Sequence, residues 1–480
     1  MSDGRFKKAG WTLGLSYVGE HILLFMRTVL VARFIGPEYF GLSVTFLLVV
    51  STFALISDLG IEKYLIHARE QDMPATTATL ASVLLARGLL LGLMVWLLSG
   101  WIATRFGHPE LAWYYASAGL VPLIEGFRHL DPLLQQRKMQ YLAYTKVQLG
   151  GMLPGILLTI GLAFVTKSYV AMVAGCIAQS VISVALSHIL AKSPYRLGFD
   201  RTAFAGLFTY GWPLMLNGIV IFLATQGDRI VIATMNGMRE LAGYVAVSAL
   251  TVGASVFLAR LSGNLYLPLL SEVRGDPERY SQRCRTCAAA SVLMLSAFLF
   301  PMAVLGAPIV ALLFGDAYRI PPLLAALLSI QAATVVLRSW PVVIALSVGA
   351  TGDILTANII RIAGLGGAVL IARTDYGITG VAACMVAGDV AATFVSLWRS
   401  GSRAGSAAQI GLVLALIFTG LSALAIVLNQ TIDPYAGWLM PILGALAVSV
   451  PGMLAALLLS GDLRQRLRAY STQLMNRAIG

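Results

Sequence analysis

Charge is scarce in this sequence. Of its 480 residues, 12% are Asp, Glu, Lys or Arg, about half the share of an ordinary soluble domain. A chain with so few charges cannot clothe a water-facing surface, so a free-standing globular protein is excluded. Cysteine and histidine are scarce too, at four and five residues. Cys176 and Cys384 stand alone. Cys284 and Cys287 form a C-x-x-C in "RCRTC", but a structural zinc needs four ligands and no His or second Cys pair lies nearby. The phosphate loop, the dinucleotide fingerprint, a His/Cys metal cluster and the G-x-S-x-G elbow are all missing. No enzyme is indicated, no cofactor is expected, and direct use of ATP is disfavoured. Low-complexity segments are absent, and the connections are too short to hold an extramembrane domain. No small-residue cleavage site follows the basic start (Arg5, Lys7, Lys8), so the first apolar stretch is expected to act as its own signal and stay.

What fills the chain is apolar mass: 58% of residues are hydrophobic. The apolar runs are continuous rather than alternating, which argues against a β-barrel. Each approaches the roughly 20 residues that a bilayer-spanning helix needs. About fourteen spans are read, near 11–33, 41–67, 76–104, 111–135, 144–165, 168–190, 206–234, 241–268, 286–314, 321–347, 353–373, 377–398, 409–428 and 436–459. The fold class is an all-α polytopic membrane protein.

Orientation follows from Lys and Arg in the connections. With the N-terminus inside, nineteen lie on the cytoplasmic side and five (Arg105, Lys167, Arg239, Arg319, Arg373) on the other. Both termini are thus expected to be cytoplasmic. The net charge of +12 is mostly this asymmetry and does not point to nucleic acid. The C-terminal "DLRQRLRAYSTQLMNR" reads as a basic amphipathic stretch lying on the anionic inner leaflet.

The chain also repeats itself. "RTVLVARFIGPEYFGLSVTF" from Arg27 matches "RIVIATMNGMRELAGYVAVS" from Arg229, pairing Arg27 with Arg229 and Gly41 with Gly243 at an offset of 202. A weaker echo links Thr145 onward with Thr356 onward at 211. Helices 1–6 therefore recur as helices 7–12. The expected organisation is two pseudo-symmetric six-helix lobes, 1–200 and 201–400, then helices 13–14 in 401–460 and a basic tail in 461–480. An even number of helices per copy makes the repeat parallel, an arrangement found in transporters with sites at the repeat interface.

Ten Lys and Arg lie within or near the ends of the spans. A charge at mid-bilayer costs at least roughly 2.5–3.5 kcal/mol, so each must pair, snorkel or face water. Arg33, Lys63 and Lys146 sit near span ends and can snorkel. Glu20 lies about 15 Å into the first helix and Arg27 about 10 Å further along the same face; His21 is turned about 100° away. Arg87 is read near mid-membrane. Glu125 and Arg128 are an i, i+3 pair that can neutralise itself. Asp228 and Arg229 are adjacent and diverge around their helix. Asp58 and Asp389 read as lone carboxylates, and Arg260, Arg338 and Arg361 complete the cationic set. Even with every acid paired, arginine remains in surplus. Such a surplus suits an anionic substrate in a wet cavity, because a guanidinium gives a phosphate two hydrogen bonds at once. Glu20, Asp58 and Asp228 are either pairing acids or ion-coupling groups. Pro122, Pro154, Pro213 and Pro341 lie inside spans, where they kink helices, and Gly88-x-x-x-Gly92 and Gly151-x-x-x-Gly155 allow close helix approach.

"VARFIGPEYFGLSVTFLLVVSTFALISDLGIEKYLI" resembles the first two helices of the Wzx-type O-antigen and exopolysaccharide flippases, in the multidrug/oligosaccharidyl-lipid/polysaccharide exporter superfamily. "LLQQRKMQYLAYTKV" (133–147), "LPLLSEVRGDPERY" (267–280), "LLFGDAY" (312–318) and "YGITGVA" (376–382) resemble later connections of that family in the same order. The resemblance covers nearly the whole chain. It implies a fourteen-helix, two-lobed flippase of the bacterial cytoplasmic membrane that moves undecaprenyl-diphosphate-linked oligosaccharide by alternating access. It implies as partners that lipid-linked glycan, membrane lipids, and a polysaccharide polymerase or other assembly proteins, with no nucleic acid. It also implies a cationic lumen, placed here at Arg27, Arg87, Arg128, Arg229, Arg260 and Arg338. Within the superfamily, a drug–cation antiporter would need an acid-dominated, aromatic cavity; a flippase for a lipid II-type precursor would share the cationic one. A scaffold without transport would tolerate loss of the deep arginines.

Overall fold

The computed structural model describes residues 3–67, 73–137, 140–273, 275–403 and 407–460. The expected basic tail of 461–480 lies outside the described residues. The described chain is helical: α1 (Asp3–Ile56), α2 (Ile61–His67), α3 (Met73–Arg105), α4 (Ala112–Ser117), α5 (Leu120–Glu125), α6 (Asp131–Arg137), α7 (Leu142–Thr166), α8 (Val170–Ile189), α9 (Arg201–Met235), α10 (Met238–Leu250), α11 (Val252–Ser271), α12 (Pro277–Met294), α13 (Pro301–Phe314), α14 (Pro322–Ser347), α15 (Thr351–Ile371), α16 (Gly377–Arg403), α17 (Ala407–Thr431) and α18 (Leu439–Leu459). Twelve helical stretches among the described residues are long and apolar enough to cross a membrane. The first, Gly19–Ile56, carries a non-helical Gly36 (φ 78°, ψ 169°) followed by Pro37, a backbone state glycine adopts without penalty. It therefore bends there and holds the first span read from the sequence and the larger part of the second. The fourth, 111–135, is chopped into α4, α5 and α6 and is too interrupted to count among the twelve. With these two adjustments the fourteen-pass reading stands.

The chain packs as two compact units, residues 1–242 and 243–480. These are units of packing, whereas the lobes read from the sequence are copies of a repeat: α9, which opens the second copy, packs within the first unit, on α1 and α3.

In the first unit the helices meet along glycine seams. A Cβ on Gly88 would come 2.5 Å from the Pro122 carbonyl oxygen and 2.9 Å from Gly126 Cα. One on Gly92 would stand 3.1 Å from the Gly119 carbonyl oxygen. Gly151 and Gly155 lie as closely against Gln179 and Gly175 of α8. Both G-x-x-x-G motifs are thus packing faces. Leu89, Leu90, Leu93, Trp96, Leu97 and Trp101 point outward along α3, an apolar face suited to lipid.

The second unit is built around α14, which is enclosed on nearly every side. Its Trp340 is fully buried and donates its indole N–H to the Cys284 carbonyl at 3.0 Å. Cys284 and Cys287 are free thiols inside this core, and no group of three or more metal-ligating side chains occurs among the described residues.

Candidate functional site

Two of the expected membrane helices are broken beside one another in the first unit. The span read as continuous over 41–67 stops at Ile56 and resumes at Ile61. Asp58 makes the break: its Oδ1 accepts the Gly60 N–H at 2.9 Å, an Asx turn that offers the backbone an alternative to helix, and Gly60 takes φ +64°. The span read over 111–135 is non-helical from Gly126 to Leu130. Arg87 of α3 stands beside both breaks. Its Nη2 donates to the Ala54 carbonyl at 2.8 Å and its Nε to Ser57 Oγ at 2.9 Å. Ala54 is in the last turn of α1, whose carbonyls have no helical partner, so Arg87 caps α1. Arg128 donates to Glu125 at 2.7 Å and lies 4.0 Å from Glu62. The expected Glu125–Arg128 pair forms, but Arg128 lies past the end of α5 rather than on its face. A cavity of about 110 Å³ opens between α1, α3 and α5, with Arg87 and Glu125 on its wall. That is room enough for several water molecules. Asp58, Glu62 and Glu125 face Arg87 and Arg128 here, so this centre carries more acid than base.

The 190–200 connection binds α3 well inside its length, with the Asp200 N–H on Thr79 Oγ1 at 2.9 Å and the Gly198 N–H on Ser82 Oγ at 3.0 Å. Arg87 lies about 8 Å further along the helix from Ser82.

The same connection closes over a polar knot. Asp131, at the start of α6, accepts the Lys192 N–H (2.9 Å), Ser193 Oγ (2.7 Å) and Gln135 Nε2 (2.7 Å). His129 Nδ1 accepts the Asp131 N–H at 3.0 Å. Its ring stacks edge-on to His188 at 5.2 Å and near Tyr195 at 5.5 Å. The knot was not singled out in the sequence; the turn-forming "GFRHLDP" around it was a usable signal.

Arg27 stands apart. It is half-buried on α1, its Nε is buried without a hydrogen-bond partner, and no acid among the described residues lies within ion-pair distance. Its helix packs on α7 and α8, with the Phe34 and Phe164 rings 5.3 Å apart, which brings Arg27 to the level of Cys176 of α8. Glu20, also half-buried, forms no ion pair among the described residues. Arg229, its repeat counterpart on α9, donates from Nη1 to Gln226 Oε1 at 2.9 Å, while the buried Asp228 accepts the Arg229 backbone N–H at 2.8 Å.

In the second unit the apparently lone Asp389 is a hub, which corrects its sequence reading. It is 1% exposed. Arg361 of α15 binds its Oδ1, Arg338 of α14 lies 3.8 Å from the same oxygen, and Gln331 donates to Oδ2 at 3.0 Å. Sequence spacing hid this because the partners lie on two other helices, α14 and α15. Arg399 pairs with Asp353 at 3.0 Å. Arg260 is exposed on α11. The expected arginines thus fall into different settings: Arg87 and Arg128 at the broken helices, Arg27 and Arg229 elsewhere in the first unit, Arg338 with Asp389, and Arg260 at a surface.

Residues 30–320 match the model of a family described as polysaccharide biosynthesis protein. The chain belongs to that family. Among curated proteins it is similar to the succinoglycan biosynthesis transport protein ExoT of Rhizobium meliloti, 26% identical over 330 residues, which is 66% of this chain and 64% of that protein. It is also similar to the lipopolysaccharide biosynthesis protein WzxC of Escherichia coli, 24% identical over 273 residues, 56% of this chain and 55% of that one. The chain therefore spans less than two thirds of the length of either relative. Among solved structures it is similar to the lipid II flippase MurJ in an inward closed conformation, with a TM-score of 0.62 at 13% identity, covering 94% of this chain and 98% of that one. An inward-facing multidrug resistance MATE transporter gives a TM-score of 0.60 at 16% identity, over 80% and 95%. These likenesses establish the fold, that of multi-pass transporters, and bear out the family resemblance read from the sequence.

Proposed function

We propose that this member of the polysaccharide biosynthesis family is a flippase. It carries an undecaprenyl-diphosphate-linked oligosaccharide from the inner to the outer leaflet of the bacterial cytoplasmic membrane, with both termini in the cytoplasm. The polyprenyl tail stays in lipid while the diphosphate and sugars pass through protein, and the two repeat copies alternate between inward and outward access. The observation that carries this reading is Arg27: a cation deep in the first membrane helix with no acid beside it. A cation kept in a low-dielectric setting without a partner is costly, and a bound diphosphate would repay that cost. The names of ExoT and WzxC, a transport and a biosynthesis protein of surface polysaccharides, support the same substrate class. Arg229 is assigned to the diphosphate with Arg27. Arg87, Arg128, Arg260 and Arg338 are given supporting roles in the electrostatics of the path.

The acid-rich centre at the broken helices supports a second element of the mechanism, coupling to a proton or small cation through Asp58 or Glu125. Discontinuous helices are where transporters hold coupling ions.

Deletion of the gene in its host tests the function. Loss of surface glycan with accumulation of lipid-linked precursor is expected, restored by the wild-type chain and not by Arg27→Ala. Unchanged glycan with altered drug tolerance would instead assign the chain to drug–cation exchange.

A further inference from the structure

Cys176 and Asp389 hold the same place in two copies of one motif. Residues 172–178 read MVAGCIA, and residues 385–391 read MVAGDVA, 213 positions later. The packing agrees with the sequence. In the first unit α8 lies on α7 with Gly175 in the seam: a Cβ there would come 2.8 Å from the Gly155 carbonyl oxygen. In the second unit α16 lies on α15 with Gly388 in the seam, and a Cβ there would come 3.0 Å from Gly364 Cα. In each hairpin the next residue is turned about 100° away from the seam. In the second copy that residue is a carboxylate with two arginines on it, Arg361 and Arg338. In the first copy it is a thiol, and the cation at its level is Arg27: α1 packs on α7 and α8, the Phe34 and Phe164 rings meet at 5.3 Å beside the α7–α8 turn, and Arg27 and Cys176 each lie about two helical turns from there.

A buried arginine is ordinarily given an acid. The second copy places one at Asp389, for Arg361 and Arg338, and at the matching place in the first copy, on a helix that α1 packs against, the chain has a side chain that carries no charge as a thiol. We propose that Cys176 is a specificity-determining residue: a neutral group at the acid position of the repeat leaves Arg27 unneutralised, so that its guanidinium is available to the diphosphate of the substrate. This rests on the diphosphate reading above. Without a neutral residue at 176, Arg27 would fold onto an internal carboxylate, as Arg361 does, and the first copy would lose its selectivity for an anionic head.

Native mass spectrometry of the full-length protein with undecaprenyl diphosphate and with uncharged undecaprenol reads that selectivity directly. Wild type, Cys176→Ser and Cys176→Asn are expected to prefer the diphosphate equally, within about twofold. Cys176→Asp is expected to lose roughly tenfold of the preference, and Arg27→Gln a similar amount, with no further loss in the double variant, the non-additivity of groups acting as one. Thermal unfolding of each variant accompanies the binding. If Cys176→Asp does not fold, a chain with Cys176 as its only cysteine, modified by an anionic or a neutral thiol reagent, makes the same comparison. Full preference in Cys176→Asp, an equal loss in Cys176→Asn, or an equal further loss from Cys176→Asp in the Arg27→Gln background would overturn the assignment of Cys176 while leaving the diphosphate reading in place. Wild type that does not distinguish the two lipids would overturn both.

Discussion

An arginine inside a membrane protein needs a destination for its charge, and this chain uses several. Arg87 is spent on the free carbonyl end of α1 and on Ser57. Arg361 and Arg338 share Asp389. Arg27 has no acid at all among the described residues. The consequence for Asp389 is specific: Asp389→Ala leaves two buried guanidinium groups without their counter-charge and should destabilise the protein by about 3–5 kcal/mol, read as a lowered midpoint in thermal or denaturant unfolding. The surplus of deep arginine was legible from composition and span position. The fate of each was not, because the deciding partner lies on another helix: nothing local to Asp389 reveals Arg338, and nothing local to Arg27 reveals that the nearest repeat position is a thiol.

Helices were read most surely where apolar runs are long and glycines recur. Gly88-x-x-x-Gly92 and Gly151-x-x-x-Gly155 were read as close-packing signals, and both serve as seams. Because a Cβ on Gly88 would meet the backbone of Pro122 and Gly126, Gly88→Val must force α3 away from the broken crossing. A cost of about 1–3 kcal/mol is expected, larger than for Ala at exposed Gly100 as a control, and the same unfolding measurement reads it. The breaks at 57–60 and 126–130 interrupt spans that read as continuous in the sequence. An apolar window averages over four or five residues, whereas a single Asx turn at Asp58 or the Asp131–Pro132 restart of helix is enough to stop the hydrogen-bond ladder. The interruptions therefore show only in local turn chemistry, the "SDLG" and "RHLDP" of the sequence.

At the scale of the molecule, an all-helical membrane chain with the fold of lipid flippases and drug transporters belongs to a polysaccharide biosynthesis family. The fold alone serves both kinds of cargo, so the proposed substrate is argued from charge, and it rests on Arg27, which forms no ion pair among the described residues. Purified protein in liposomes tests this most directly. Undecaprenyl diphosphate bearing a fluorescent sugar is loaded in both leaflets, and a membrane-impermeant reductant quenches what reaches the outer one. Vesicles with the wild-type chain are expected to exchange the inner pool, protein-free vesicles to retain it, and Arg27→Ala to exchange it at roughly a tenth of the wild-type rate, the loss of about 1.4 kcal/mol of interaction. Retention of the inner pool with the wild-type chain, or an undiminished rate in Arg27→Ala, would contradict the account.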